Sequence, residues 1–400
     1  MWEGPFAKFD NNPKLFLSRS ISHICAPGFF FTMGISMTLF SLNRRTRHEW
    51  TWRQVFYHYL VRGSVLLLVE YVVNFPNAVP QLVDYWRGRE VRSWTDPEAS
   101  LTPHEILMRS SFGIYEVMTC LGLATIFAPL ALPVFFRAQR HHDGNSTWLV
   151  LTVGLGAFLL VFLISAAVIL YNQDLDDLEG LGGFPHFAAK CGNVLEFGAR
   201  YLFLPGKLFK SWQMAVYPLF PWLGLTLLGM GFGFEVAQHG TIRHMRWYAL
   251  VCFVAFAAIR LLAGAWLNFR GLGRGEDMSD VSWMMAFFLQ TKYPPDLCYA
   301  TLTLGVNFLL LELFSTRVVE YVSYPLLVFG RTPLFFYALH FWIIAMFEAI
   351  MRVPVHPSGK FNLEYVLFVW MLVLVVAFFA CKRYYKFKST TSPTSLWRVF

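Results

Sequence analysis

WLVLTVGLGAFLLVFLISAAVILY, residues 148–171, contains no Asp, Glu, Lys, Arg or His. At about 1.5 Å of rise per residue, such a run crosses the ~30 Å hydrocarbon core of a bilayer as a single helix. It is the plainest of a series. Stretches 25–43, 55–74, 112–136, 148–171, 213–235, 247–268, 297–316, 333–352 and 364–381 all read as spanning helices. The expected fold is therefore all-α: a polytopic integral membrane bundle of about nine transmembrane helices, forming one domain over 1–400 with a basic tail from 382. Stretch 321–332 is apolar enough to be an interfacial segment or part of the eighth span.

Composition agrees. Of the 400 residues, 56% are hydrophobic and 14% charged, and mean hydropathy is +0.46; soluble domains sit near about 25% charged. The 41 Phe and 14 Trp suit lipid-facing surface and interfacial belts. A net charge of +8 on a soluble surface would suggest nucleic acid. Here the cations gather in short gaps between apolar runs, so the partner they imply is the bilayer, with no nucleic acid. Cys25, Cys120, Cys252, Cys298 and Cys381 lie in or beside apolar runs and Cys191 in a loop, which predicts buried, reduced thiols and no disulfide framework.

Alternate gaps carry the arginines and lysines: Arg44, Arg45, Arg47 and Arg53; Arg137 and Arg140; Arg243 and Arg246; Arg317 and Arg331; and Lys382, Arg383, Lys386 and Lys388 in the tail. Basic loops stay in the cytoplasm. The intervening gaps, with acids such as Asp174, Asp176, Asp177 and Glu179 or Glu276, Asp277 and Asp280, face outward. This tally puts the N-terminus outside and the C-terminus inside. With no signal peptide visible in residues 1–22, it leads to the expectation that a leading helix is missing. The sequon at Asn145 falls in a cytoplasmic gap and is expected to stay unglycosylated. The longer gaps 75–111, 172–212 and 269–296 are read as outer loops, with room for short interfacial helices in 172–212.

Ionisable groups inside spans are costly and mark functional candidates. They are Arg62 and Glu70 in the second span, Glu116 near the outer end of the third, Arg260 in the sixth and His340 in the eighth. The plain alternative for each is an internal ion pair or hydrogen bond. His23 opens the first span in Ser22-His23-Ile24-Cys25-Ala26-Pro27-Gly28. Pro27 suits a first helical turn, which leaves His23 just outside the helix in contact with water. An imidazole there can take a proton from an amine or hydroxyl attacking an acyl carbonyl, worth roughly 10²–10⁴ in rate; an interfacial capping histidine is the alternative. Gly229, Gly231 and Gly233 read as close helix packing and not as a nucleotide loop. Tyr217-Pro218 with Pro221-Trp222, and Lys292-Tyr293-Pro294-Pro295, mark helix starts with aromatic anchors. No metal-ligand spacing appears, since His141-His142 is an isolated pair.

Several stretches, in this order, resemble the heparan-α-glucosaminide N-acetyltransferase catalytic-domain family of the transmembrane acyltransferase superfamily, nearest its bacterial-type branch. They are Ser22 to Pro27 with Phe29-Phe30-Phe31 and Gly34; Arg62-Gly63 with Glu70; Tyr217-Pro218-Leu219-Phe220-Pro221-Trp222-Leu223-Gly224; Thr291-Lys292-Tyr293-Pro294-Pro295; and Phe329-Gly330-Arg331-Thr332-Pro333 through His340. The resemblance covers nearly the whole chain. It implies transfer of an acetyl or similar acyl group from cytoplasmic acetyl-CoA, the acyl donor, to a carbohydrate amine or hydroxyl on the far side, without a metal; a homodimer is compatible with it. It also implies His23 as catalytic base or orienting group, Arg62, Arg331 and His340 as acyl-CoA contacts, and Glu70, Glu116, Trp222 and Lys292 as acceptor-binding residues. The family usually begins with a further span carrying an Asp-His-type segment, absent before His23 here, and its lysosomal members are acidic where His23 aligns. Two rivals stand beside this reading: a secondary transporter of a small polar solute, for which no pairing of halves is evident, and a non-catalytic remnant of the family.

Overall fold

The computed structural model describes residues 13–92, 100–112, 114–140, 147–171, 198, 202–203, 206–207, 214–267, 283–288, 290, 292, 295–316, 323–351 and 363–391. The acidic gaps at 174–179 and 276–280, Cys191, the sequon Asn145 and the His141-His142 pair lie outside them.

The helices are α1 (Pro13–His23), α2 (Cys25–Arg47), α3 (Trp52–Asn74), α4 (Ala78–Trp86), α5 (Pro103–Phe112), α6 (Val117–Phe127), α7 (Leu132–Arg140), α8 (Thr147–Tyr171), α9 (Leu219–His239), α10 (Met245–Leu267), α11 (Trp283–Phe288), α12 (Leu297–Phe314), α13 (Tyr324–Arg331), α14 (Pro333–Met351) and α15 (Leu363–Thr390). Among the described residues, nine helices are long and apolar enough to cross a membrane, and each falls on one of the nine expected stretches. The protein is an all-α, multi-pass membrane bundle. Its only described strands are two residues long: β1 (Ile114–Tyr115), β2 (Gly206–Lys207) and β3 (Met214–Ala215). β1 pairs parallel with β3, and β2 antiparallel with β3.

α9 is the axis of the bundle. Of its membrane window, 83% is buried, against 6% for α14, so α9 sits among protein and α14 presents itself to lipid. α9 packs against α2 and α8, and its glycines explain how. A Cβ at Gly34 of α2 would strike the Thr226 carbonyl, and one at Gly229 the Phe31 carbonyl. A Cβ at Gly233 would lie 2.6 Å from Thr38 Cβ. On another face of α9, Gly231 meets Val150 and Gly154 of α8. Removing side chains lets backbones approach, which is how helices associate where lipid is as apolar as leucine. Thr38 then donates its hydroxyl to the Met230 carbonyl at 3.0 Å. The expected packing role of these glycines is what is found.

Contacts also fix direction. α2 and α9 are parallel (Phe30 to Trp222, Thr38 to Gly233), and so are α2 and α12 (His23 to Tyr299, Phe31 to Phe308). α3 is antiparallel to α6 (Glu70 to Thr119, Leu67 to Gly122) and α8 to α9 (Gly154 to Leu227, Val161 to Gly224). Hence α2, α6, α9 and α12 all begin at one end of the bundle. The elbow 48–51, flanked by Arg44, Arg45 and Arg47 on one side and Arg53 on the other, and the turn after α9 lie at the other.

Three expectations are corrected. Stretch 75–111, read as a loop, contains α4 and α5, which share a small core of Ala78, Val91, Leu101 and Ile106. The stretch is polar on one side only, which hides short helices from a search for long apolar runs. Of the two readings of stretch 321–332, part of the eighth span is the one that fails: Tyr324–Arg331 form a separate short helix, α13, stopped at Thr332-Pro333. Cys25, expected to be buried, is exposed, whereas Cys120, Cys298 and Cys381 are buried. The third span is broken in the middle by a 3₁₀ turn at Ala128–Ala131, where Pro129 removes a backbone donor.

Candidate functional site

The end where α2, α6, α9 and α12 begin gathers His23, Glu70, Glu116, Trp222 and Lys292, five of the residues singled out above. Pro27 is the first cause. In a continuous helix the His23 carbonyl would accept from the N–H four residues on, but Pro27 has none. The helix breaks at Ile24 between α1 and α2. Tyr299 of α12 supplies the missing donor: its hydroxyl gives to the His23 carbonyl at 2.9 Å, and its ring meets the imidazole edge-on at 5.6 Å. One residue further, Asn307 Nδ2 donates to the Ile24 carbonyl at 3.1 Å.

His23 is therefore not the water-facing residue the sequence suggested. It ends a preceding helix and is buried at 7% exposure. Arg19 Nε, one turn earlier, donates to His23 Nε2 at 3.2 Å. That bond makes Nε2 the lone-pair nitrogen of a neutral ring, so His23 is already occupied as an acceptor.

Glu70 is 2% exposed on α3. Its Oε1 accepts the N–H of Glu116 at 2.9 Å, and its Oε2 the N–H of Thr119 at 2.9 Å. These are the N-cap and third residue of α6, two of the donors every helix start leaves unmatched. Asn74 Nδ2 steadies Oε1 at 3.1 Å. Glu70 thus caps α6 from a neighbouring helix, with its carboxylate at the positive end of the helix dipole. The alternative of an internal hydrogen-bonding role is the one it fills. Glu235 does similar work at the other end, accepting the Arg243 N–H at 2.8 Å.

Glu116 precedes α6 at the end of β1. The β1–β3 pair, extended by Val216 N–H to the Tyr115 carbonyl at 3.0 Å, ties the start of α6 to the start of α9 and brings Glu116 alongside Val216. Burial, and then the nearby Glu70 carboxylate, push Glu116 up to about 7, against the opposing pull of Lys292. Lys292 lies before α12 with its ammonium 5.4 Å from the Tyr217 ring centre. Burial brings it down to about 8, while Cys25 and Glu116 hold it up. A carboxyl and an amine that both titrate near neutrality are matched to general acid–base work.

Trp222 closes the floor. It is fully buried between Phe30, Tyr217 and Tyr299, with centroids at 5.0, 5.0 and 6.0 Å. Its indole N–H has no acceptor among the described residues, a rare state for a buried donor.

Arg62, Arg331 and His340 fall elsewhere. Arg62 is exposed on α3, towards the end bearing the elbow. Arg331 is exposed, its guanidinium 4.9 Å over the Tyr385 ring. His340 is half-buried among Phe336, Tyr337 and Phe341, with Nδ1 3.2 Å from the Phe336 carbonyl. The sequence reading missed Arg19, Asn74 and Tyr299 as members of the cluster. Pro27 signals that the His23 carbonyl needs a donor from outside its helix, but only the fold says which residue provides it.

No family model, curated protein or solved structure matches this chain.

Proposed function

We propose that the protein is a membrane-bound acyltransferase. On this reading it takes an acetyl or related acyl group from acyl-CoA offered on the cytoplasmic side, where the arginine-rich turns lie, and gives it to a carbohydrate amine or hydroxyl at the opposite end. The observation that carries the reading is the gathering of Glu70, Glu116, Trp222 and Lys292 around Tyr217 and the start of α6, at the end of the bundle away from the basic turns, where burial raises the Glu116 carboxyl and lowers the Lys292 ammonium. Motif order within the chain supports the same class.

The roles follow from the chemistry of each group. Glu116 takes the proton from the acceptor nitrogen or oxygen as it attacks the thioester carbonyl. The new C–N or C–O bond forms as the C–S bond breaks, and CoA leaves as a thiolate that is then protonated. Lys292 and the unpartnered Trp222 N–H favour the oxygen that gains charge at the carbonyl. His23, occupied by Arg19, orients the cluster and leaves the base role to Glu116.

The test is direct. Purified protein in detergent is incubated with radiolabelled acetyl-CoA and glucosamine, and Glu116→Gln and His23→Ala are compared with wild type. Transfer by wild type that Glu116→Gln lowers by about 10²–10⁴ supports the reading. Absence of transfer by wild type sinks it, and glucosamine uptake into proteoliposomes without transfer points to a transporter instead.

A further inference from the structure

We propose that the elbow joining α2 to α3 is a binding site for a phosphate group, formed by Arg44, His58 and Arg62 beside the rings of Phe40 and Trp50. Two adjacent arginines at the end of α2 behave differently. Arg45 is engaged: it donates to the Trp50 carbonyl at 3.0 Å and lies 4.0 Å over the Trp52 ring. That arginine holds the turn. Arg44 places its guanidinium 5.2 Å from the Phe40 centroid and 4.9 Å from that of Trp50. Its Nε is buried and has no acceptor among the described residues.

His58, one turn into α3 beyond the Thr51/Gln54 capping box, stacks on Phe40 at 4.5 Å and meets Trp50 at 6.0 Å. Its Nε2 is buried and also has no hydrogen-bond partner among the described residues. Arg62 follows on the same face of α3, four residues on. His58 and Arg44 share the Phe40 and Trp50 rings, and Arg62, one turn beyond His58, is near enough to act on it electrostatically. None of the ion pairs among the described residues involves any of them, and Glu49, the acid of the elbow, is exposed.

Two guanidinium groups and an imidazole on two adjoining helices, with no carboxylate paired to them among the described residues, call for an anion. Arginine in a membrane protein is paired, or it marks a ligand path. A tetrahedral phosphate offers acceptor oxygens on several sides and so can meet donors from α2 and α3 together, where a planar carboxylate offers one edge. The flanking rings exclude water and favour the cations by their π faces. At this end of the bundle a phosphate has two sources: the headgroup of an anionic phospholipid, or the phosphates of a soluble donor such as CoA. The lipid source stands without the acyltransferase reading, and the CoA source rests on it. Because binding is measured without transfer, failure of one does not disguise failure of the other.

In the experiment, full-length protein in phosphatidylcholine nanodiscs is titrated with CoA. Separately, it is placed in nanodiscs containing phosphatidic acid, and retained lipid is counted by native mass spectrometry. Wild type is expected to bind one of these probes. Arg44→Gln and His58→Gln should each weaken that binding by about tenfold or more. Arg62→Gln, whose side chain is exposed and leaves the packing intact, should do likewise, while Arg137→Gln, an exposed arginine on α7, should not. A loss confined to CoA assigns the phosphate to the soluble donor, and one confined to phosphatidic acid assigns it to lipid; either supports the site. Binding of neither probe, equal weakening by Arg137→Gln, or unchanged binding by Arg62→Gln overturns it.

Discussion

Changing Glu70 to Gln keeps size and shape but takes away one acceptor oxygen and the charge. In the native protein two oxygens receive four donors: the N–H groups of Glu116 and Thr119, the Asn74 amide and the Thr119 hydroxyl. A glutamine oxygen can keep one of the two backbone N–H groups. The other then faces an NH₂ that cannot accept, and a buried donor left unmatched costs about 1–3 kcal/mol. Losing the negative charge at the start of α6 adds up to about 2 kcal/mol in so enclosed a place. The total is about 1–5 kcal/mol, enough to lower the unfolding midpoint clearly. The second effect is electrostatic. The Glu70 carboxylate is the second cause, after burial, that pushes Glu116 up to about 7. Without it, Glu116 loses its proton at lower pH, so the acid limb of the transfer rate moves in the acid direction. The assay is thermal unfolding in detergent together with a pH–rate profile for Glu70→Gln and wild type. A variant with the wild-type midpoint and an unshifted limb would refute the capping argument.

Other expectations are simpler. Glu116 holds its proton more tightly when folded, about 7 against an ordinary 4.5, so stability present below about 4.5 is lost as pH rises through 7. Glu116→Gln should therefore unfold at a higher temperature than wild type above pH 7 and show no such advantage below about 4.5. Tyr299→Phe strands the His23 carbonyl beside Pro27 and should cost about 1–3 kcal/mol in the unfolding midpoint, with Phe packing otherwise kept. Gly34→Val drives a side chain into the Thr226 backbone, which cannot yield, and should abolish the monodisperse peak in size-exclusion chromatography. Gly156→Val, where a Cβ meets nothing within 4 Å, should leave that peak intact.

The chain's hydrophobic pattern alone determined the class of fold. Charge-free runs such as 148–171 have one stable home, and in lipid only a helix satisfies its own backbone, so all nine spans could be read locally. Pro27, Pro218 and Pro295 marked helix starts for an equally local reason, the missing N–H. The short helices α4 and α5 were hidden because their apolar faces are narrow and draw their meaning from each other. What made a site out of scattered residues was tertiary. Glu70 reads as a stray intramembrane charge until α3 lies antiparallel to α6 and places it under the first turn of its neighbour. Glu116 and Lys292, far apart in the chain, come within electrostatic reach because two-residue strands tie the start of α6 to that of α9, where the Lys292 ammonium lies over the Tyr217 ring. Hydrophobicity and backbone chemistry act within a few residues and are therefore written in order along the chain. Which buried donor finds which acceptor depends on how helices cross, and only the assembled bundle decides that.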